Sequence, residues 1–207
     1  MKRTFFLLAA AMMWAAACWA DSPLTSCDFG DAYNDDATVM RIMEQQGGVA
    51  DGLKTSTMEF LADPKVNVAQ RMAVVNKIGW NFDGLGNGKQ FFEYLKTRFK
   101  VKDEKGLLKK IDASTLSVYA YTLAMSNYFV VEHAQELAHE AVKKDKVHSF
   151  TIAFIASLID AQHYLHNDWS MVYSVVANVI NDGSLRVDMR QEAIDIVMEN
   201  IDLYKKY

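Results

Sequence analysis

Apolar residues recur every three to four positions along most of the chain after Ser26, as they do on one face of an α-helix. Proline occurs only at Pro23 and Pro64, and no run of alternating β-branched residues is present, so strands are not expected. The connections between the apolar stripes are short, which predicts that neighbouring helices fold back on each other as antiparallel hairpins. The predicted helices span residues 28–34, 36–46, 51–62, 66–78, 88–99, 104–110, 113–127, 131–143, 149–166, 169–181 and 187–204.

Polar residues with the spacing of a capping box precede three of the apolar stripes. In a capping box the first side chain accepts a backbone N–H bond at the start of the helix, and the residue three positions on bonds back. The sequence therefore predicts helix starts at these places. The pairs are Asn67 with Gln70, Asn87 with Gln90, and Asp188 with Gln191.

The predicted helices differ in how much of their circumference is apolar. Residues 152–159 are apolar nearly all round, and so is much of residues 172–180. A helix without a polar face is expected to lie between neighbours, so we expect helix 149–166 to be central in the packing. Helix 131–143 instead has one apolar stripe and an opposite polar side.

The first twenty residues have the three parts of a secretory signal peptide. Two basic residues follow the first methionine, residues 5–17 form an unbroken apolar run, and small residues follow at Cys18 and Ala20. The run is too short for a transmembrane helix. We therefore predict an exported protein, periplasmic or extracellular, with a signal peptide at 1–20 and a single all-helical domain at 21–207.

Two processing routes are open at the end of this segment. Cleavage after Ala20 would leave Asp21 at the new N-terminus. The alternative is lipidation at Cys18, because residues 15–18 (Ala-Ala-Ala-Cys) resemble a bacterial lipobox that lacks the usual large aliphatic first residue. A lipid at Cys18 would anchor the domain to an envelope membrane without making it span that membrane.

Charge makes nucleic acid an unexpected partner. The whole chain has a net charge of −4, and loss of Lys2 and Arg3 with the signal peptide leaves 20 basic and 26 acidic residues, a net charge of −6. Phosphate binding needs clustered positive charge. Lysines do concentrate at residues 100–110 and 143–146, but acidic residues interrupt both stretches, and we interpret them as solvated helix ends.

If Cys18 leaves with the signal peptide, Cys27 is the only cysteine, and no intramolecular disulfide can form. Stability must then come from the apolar core, which 51% hydrophobic residues can supply. A lone exported cysteine can be reactive or can dimerise a protein. We favour the simpler interpretation, that Cys27 is a small packed residue near the N-terminus.

Residues 63–79 resemble the second helix of a HEAT repeat. They carry Asp63-Pro64, then Val66, then Arg71 and Ala73 on a helix that ends at Ile78-Gly79. Residues 182–196 resemble this pattern with glycine in place of proline, and poorer copies open at Asp112 and Asp145. The resemblance implies stacked helical hairpins, either a short irregular α-solenoid or a compact multi-helix array.

Two carboxylate–imidazole pairs have a spacing that allows metal binding. Glu136 and His139 are three residues apart on one helix, and Asp160 and His163 repeat the spacing on the next, with His166 three residues further. The competing interpretation is that the first pair lies on a solvated polar face. For the second, buried polar groups would bond their neighbours, with the histidines near the helix end.

Residues 79–89 combine two large aromatic side chains with a glycine-rich stretch. Trp80 and Phe82 on such a loop can anchor a partner or a sugar ring, or can fold back over the edge of the core. Trp169 poses the same choice, and core packing is preferred there. The glycines at residues 84–88 do not have the spacing of a phosphate-binding loop, so we interpret them as structural.

No motif in the chain identifies a reaction. The leading hypothesis is an exported, non-enzymatic module, a scaffold or an inhibitor, that binds another protein through its helical hairpins, with no cofactor expected. Its partner contacts would include Trp80 and Phe82. The alternative is a metal-binding protein or metalloenzyme that uses Glu136, His139, Asp160, His163 and His166. Glycan binding through the two aromatics is a third possibility.

Overall fold

The computed structural model describes residues 22–47 and 52–207, which form ten α-helices, two 3-10 helices and no strand. The predicted all-helical fold is confirmed, whereas the predicted signal peptide lies outside the described residues. The 3-10 helices are Phe29–Tyr33 and Asp202–Tyr204. The α-helices are α1 (Ala37–Gln46), α2 (Thr55–Leu61), α3 (Val68–Ile78), α4 (Asn87–Phe99), α5 (Glu104–Lys110), α6 (Ala113–Ser126), α7 (Glu132–Lys144), α8 (Phe150–Leu165), α9 (Trp169–Ile180) and α10 (Gln191–Ile201).

The helices pack in two rows. Helices α3, α6 and α8 contact one another and form a central row. The outer row is α4, which packs on α6, then α7 against both α6 and α8, then α9 on α8. Helices α7 and α9 adjoin their central partners along the chain, as expected for antiparallel hairpins, whereas α5 lies between α4 and α6. No helix in the described ranges is both long and apolar enough to cross a membrane.

Helix α8 is central, as its apolar circumference predicts. Eleven of its sixteen residues are buried, and α6 buries eleven of fourteen. Two hydroxyl groups inside α6 bond to its own backbone: Thr122 donates to the carbonyl of Val118, and Ser126 to that of Thr122. Helix α9 differs from the prediction, because only Val172 and Val176 are buried and it lies at the end of the outer row.

An N-terminal segment, residues 22–34, packs against the central row at α3 and α6. Its 3-10 helix packs on α3 and on α10. Phe29 is fully buried and its ring lies 6.1 Å from that of Tyr121 on α6. Asn76 on α3 donates to the carbonyl of Cys27 and accepts from the amide of Gly30. The segment therefore joins α3, α6 and α10 into one core.

The capping predictions are partly correct. Asn67 does cap α3, accepting from the amide of Ala69, but Gln70 bonds to Asp36 instead of turning back. Asp36 is itself the cap of α1 and accepts from Thr38 and Val39. Gln70 therefore joins the starts of two helices, which its position in the sequence does not reveal.

The other two predicted capping boxes are wrong. Asn87 lies inside α4 and accepts from the amide of Gly52, while Gln90 bonds both backbone groups of Leu53. Asp188 precedes α10 by three residues and instead accepts from Ser149 and Thr151 at the start of α8. In both cases a side chain that could cap locally bonds a distant segment instead.

Candidate binding surfaces

Aromatic side chains meet on the surface between the loop that follows α3 and the loop that follows α6. We call this the aromatic patch; its residues are Trp80, Phe82, Tyr128, Phe129 and Val130. Phe82 and Phe129 pack edge to face at 5.4 Å, and Trp80 packs in the same way on Tyr128 at 5.0 Å. Phe82 is 52% exposed, Phe129 45% and Val130 63%. The patch thus presents adjacent apolar groups to solvent.

The glycine-rich loop holds the patch in place. The amide of Leu85 donates to the carbonyl of Ser126 at 2.8 Å, and the amide of Gly88 donates to the Ser126 hydroxyl at 2.8 Å. Gly84 has φ +81°, in the left-handed region that favours glycine. These contacts support the interpretation of residues 84–88 as structural, and they fix Phe82 against the α6–α7 loop.

The two predicted aromatics differ in their roles. Trp80 is 37% exposed, and its indole N–H donates to the carbonyl of Thr25, so it also closes the edge of the core over the N-terminal segment. Phe82 is the more exposed of the two. Sequence reasoning missed Phe129 and Val130, although a short apolar run in a predicted loop was a usable signal. Trp169, expected in the core, is 46% exposed against Tyr204 and Tyr207.

The predicted metal ligands come together only as one pair. His139 Nε2 on α7 lies 2.8 and 3.0 Å from the two carboxylate oxygens of Asp160 on α8, and Gln135 donates to the same carboxylate at 2.7 Å. This cross-helix pair joins one member of each predicted motif. The other member of each predicted motif, Glu136 or His163, makes its contacts outside this pair.

Glu136 is 81% exposed at its side chain and lies 3.6 Å from His133, which pairs in turn with Glu104. The imidazole of His163 lies 3.9 Å from the carboxylate of Glu132, and His166 is the residue that directly follows α8. Among the residues that the structure describes, no group of three or more His, Cys, Asp or Glu side chains is placed to hold a metal ion. We therefore interpret the polar contacts between α7 and α8 as side-chain pairing between the two helices.

A groove of about 620 Å³ lies at the end of the central row opposite the aromatic patch. It is bordered by the turns that open α3, α6 and α8, and by the segment before α10. We call it the basic groove, because five basic and three acidic side chains line it. They are Lys65, Arg71, Lys144, Lys146 and Arg186, with Asp112, Asp145 and Asp188.

Arg71 forms the wall of this groove with only 1% of its surface exposed. Its guanidinium donates to the Leu61 carbonyl at 3.3 Å and to the Ser114 hydroxyl at 2.6 Å, but its Nε has no hydrogen-bond partner among the described residues. Burial lowers the pKa of Arg71 to about 10, and the charges of Asp112 and Asp63 oppose that shift. The group therefore stays cationic at neutral pH.

Cys27 is buried at 1% exposure, and its thiol lies 3.9 Å from the carbonyl of Val197. Burial, with a smaller contribution from the charge of Asp28, raises the pKa of the thiol to about 12. A thiol held protonated and covered is a poor nucleophile. The prediction of a packed cysteine is confirmed.

Comparisons of this chain with protein-family models, with curated proteins and with solved structures give no match. The function must therefore be argued from the surfaces described above.

Proposed function

We propose that this protein is an exported, non-catalytic interaction module that binds another protein through the aromatic patch. The observation that carries the proposal is the exposure of Phe82, Phe129 and Val130 side by side on a surface held by backbone hydrogen bonds. Aromatic anchors that are already ordered lose little conformational entropy on binding, and such residues dominate the energy of protein interfaces.

The arrangement of the helices supports a scaffold of stacked hairpins, which we propose to be HEAT-like. The turns that open the four sequence copies all reach the basic groove, through Pro64, Asp112, Asp145 and Arg186. Repeated turns at one end of a row are expected when helical pairs stack side by side. The opposite ends of α3 and α6 then carry the aromatic patch.

The patch proposal is tested by capture of partners from a native envelope extract. Phe82→Ser with Phe129→Ser should lower the affinity for the captured protein at least about tenfold, because each anchor contributes on the order of 1 kcal/mol or more. Val142→Ser with Leu203→Ser is the matched control, since both residues are exposed apolar side chains outside the patch. Equal capture by the two double variants contradicts the proposal.

Export is proposed together with this function. The described fold begins at Ser22, which is buried and whose hydroxyl donates to Gln162 on α8. Cleavage after Ala20 would leave one residue ahead of the core. Lipidation at Cys18 would leave four, spanning at most about 14 Å, and would hold the domain against the membrane. Mass spectrometry of the native protein distinguishes the two routes.

A further inference from the structure

The basic groove has a local charge opposite to that of the protein. Its five basic and three acidic side chains give +2, whereas the whole chain carries −4. A concentration of positive charge in a concave surface raises the local potential and attracts anionic groups. The groove volume of about 620 Å³ also falls in the range typical of ligand sites.

The three carboxylates in the groove already serve the fold. Asp112 accepts from Ser114 and Thr115 at the start of α6, and Asp145 accepts from the amides of Val147 and Ser149. Asp188 accepts through both of its oxygens from residues 149, 151 and 186. These carboxylates are already hydrogen-bonded to turns and helix starts, so they do not pair with every basic side chain in the groove.

Several cations in the groove are available by contrast. Within the described ranges, the ammonium groups of Lys65 and Lys146 make no hydrogen bond or ion pair. Arg186 pairs with Asp188 through one guanidinium nitrogen at 3.2 Å, but its side chain is 64% exposed and leaves the other nitrogens open to solvent. Arg71 adds a buried charge with an unpartnered Nε. Val147 adds an apolar group to the groove lining and is 58% exposed.

We propose that the basic groove binds an acidic, extended segment of a partner protein, with carboxylates at Lys65, Lys146 and Arg186 and a small apolar side chain against Val147. The exposed side chain of Val147 beside the free ammonium group of Lys146 favours a peptide, which carries apolar and acidic groups together, over a compact anion. This site lies at the other end of the molecule from the aromatic patch and acts independently of it.

The test measures binding of two synthetic peptides to the processed protein by calorimetry in low salt. The probe is acetyl-Glu-Val-Asp-Val-Glu-amide, and its control replaces each acid by the corresponding amide. The acidic peptide should bind at least about tenfold more tightly, and this preference should shrink as added salt screens the charges. Equal affinity for the two peptides overturns the proposal.

Charge reversal locates the site. Lys65→Glu with Lys146→Glu should weaken binding of the acidic peptide at least about tenfold. Lys89→Glu with Lys102→Glu is the matched control, because these exposed lysines do not line the groove and the change in net charge is the same. Equal weakening in both double variants points to nonspecific attraction and overturns the proposal.

Inorganic phosphate is the third arm of this test. Phosphate that binds the groove more tightly than the peptide does would identify a small-anion site and would also overturn the proposal. The patch variants Phe82→Ser and Phe129→Ser should bind the acidic peptide as the parent does. A wrong groove proposal and a wrong aromatic-patch proposal therefore give different outcomes in the peptide-binding and partner-capture experiments.

Discussion

Single buried polar side chains connect separate segments of the chain. Asn76 joins α3 to the N-terminal segment and to the hydroxyl of Tyr121, and Gln162 accepts from Ser22. Gln46 bonds the backbone of residues 52 and 54 and the hydroxyl of Thr57. The sequence indicates that a buried amide must find partners, but the partners depend on which backbone passes nearby.

Asp36 gives a pH prediction at this scale. Its side chain is 13% exposed. Partial burial alone would raise the pKa of this carboxyl. The hydrogen bonds from Gln70 and from the amides of Val39 and Thr38, together with the charge of Arg190, outweigh burial and lower its pKa. A carboxyl with a lowered pKa in the folded state stabilises the fold above its unfolded pKa of about 4, and this stabilisation is lost as the pH falls further.

We expect Asp36→Asn to lower the free energy of unfolding by about 1 kcal/mol at pH 7, because a charged cap and its ion pair are lost. The difference from the parent protein should shrink at pH 3, below the unfolded pKa of about 4, because protonation of the unfolded chain removes part of the advantage of the charged cap. Urea unfolding at the two pH values measures this. A cost that is the same at both values would show that the charge of Asp36 contributes nothing.

At the scale of the element, helix boundaries follow the apolar pattern closely, while the residues that cap them do not. The helix predicted at 187–204 begins at Gln191. The segment before it runs beside the start of α8, where the amide of Phe150 donates to the carbonyl of Arg186 and the amide of Arg186 to that of His148. This backbone pairing keeps Asp188 out of its own helix and places it over another.

Asp188→Ala should lower the free energy of unfolding by about 2 to 3 kcal/mol, because it leaves the amide and hydroxyl of the fully buried Thr151 without their acceptor. Asp182→Ala is the control from the same loop. Within the described residues the side chain of Asp182 bonds only to the exposed Ser184, so its loss should hardly change stability. Thermal unfolding compares them. Similar destabilisation by both variants contradicts the role assigned to Asp188.

At the scale of the molecule, the N-terminal segment decides what the helical rows can do. Broad surfaces of stacked hairpins commonly serve as binding sites. Here Phe29, Cys27 and Leu24 pack against the central row, each with no more than 1% of its surface exposed. The aromatic patch and the basic groove, which we propose as binding surfaces, lie instead at the two ends of that row.

Phe29→Ala tests this role of the N-terminal segment. If the segment is an integral layer of the core, the cavity should lower the free energy of unfolding by about 3 to 5 kcal/mol. Chemical denaturation measures the loss, and Phe82→Ala is the control because that ring is half exposed. A loss below about 1 kcal/mol for Phe29→Ala would mean that the segment can detach, which would free the central row for binding.

The sequence by itself determined the helical class, most helix boundaries and the central place of α8, because periodicity and loop chemistry are local properties. Only the tertiary structure decided which residues meet. It paired His139 with Asp160 across two helices, turned Asn87, Gln90 and Asp188 into links between segments, and brought the Phe129 loop to Phe82. It also gathered lysines and arginines from three helix connections and from α3 into one groove. Such contacts depend on the register between packed helices, which the spacing of residues along a single helix does not specify.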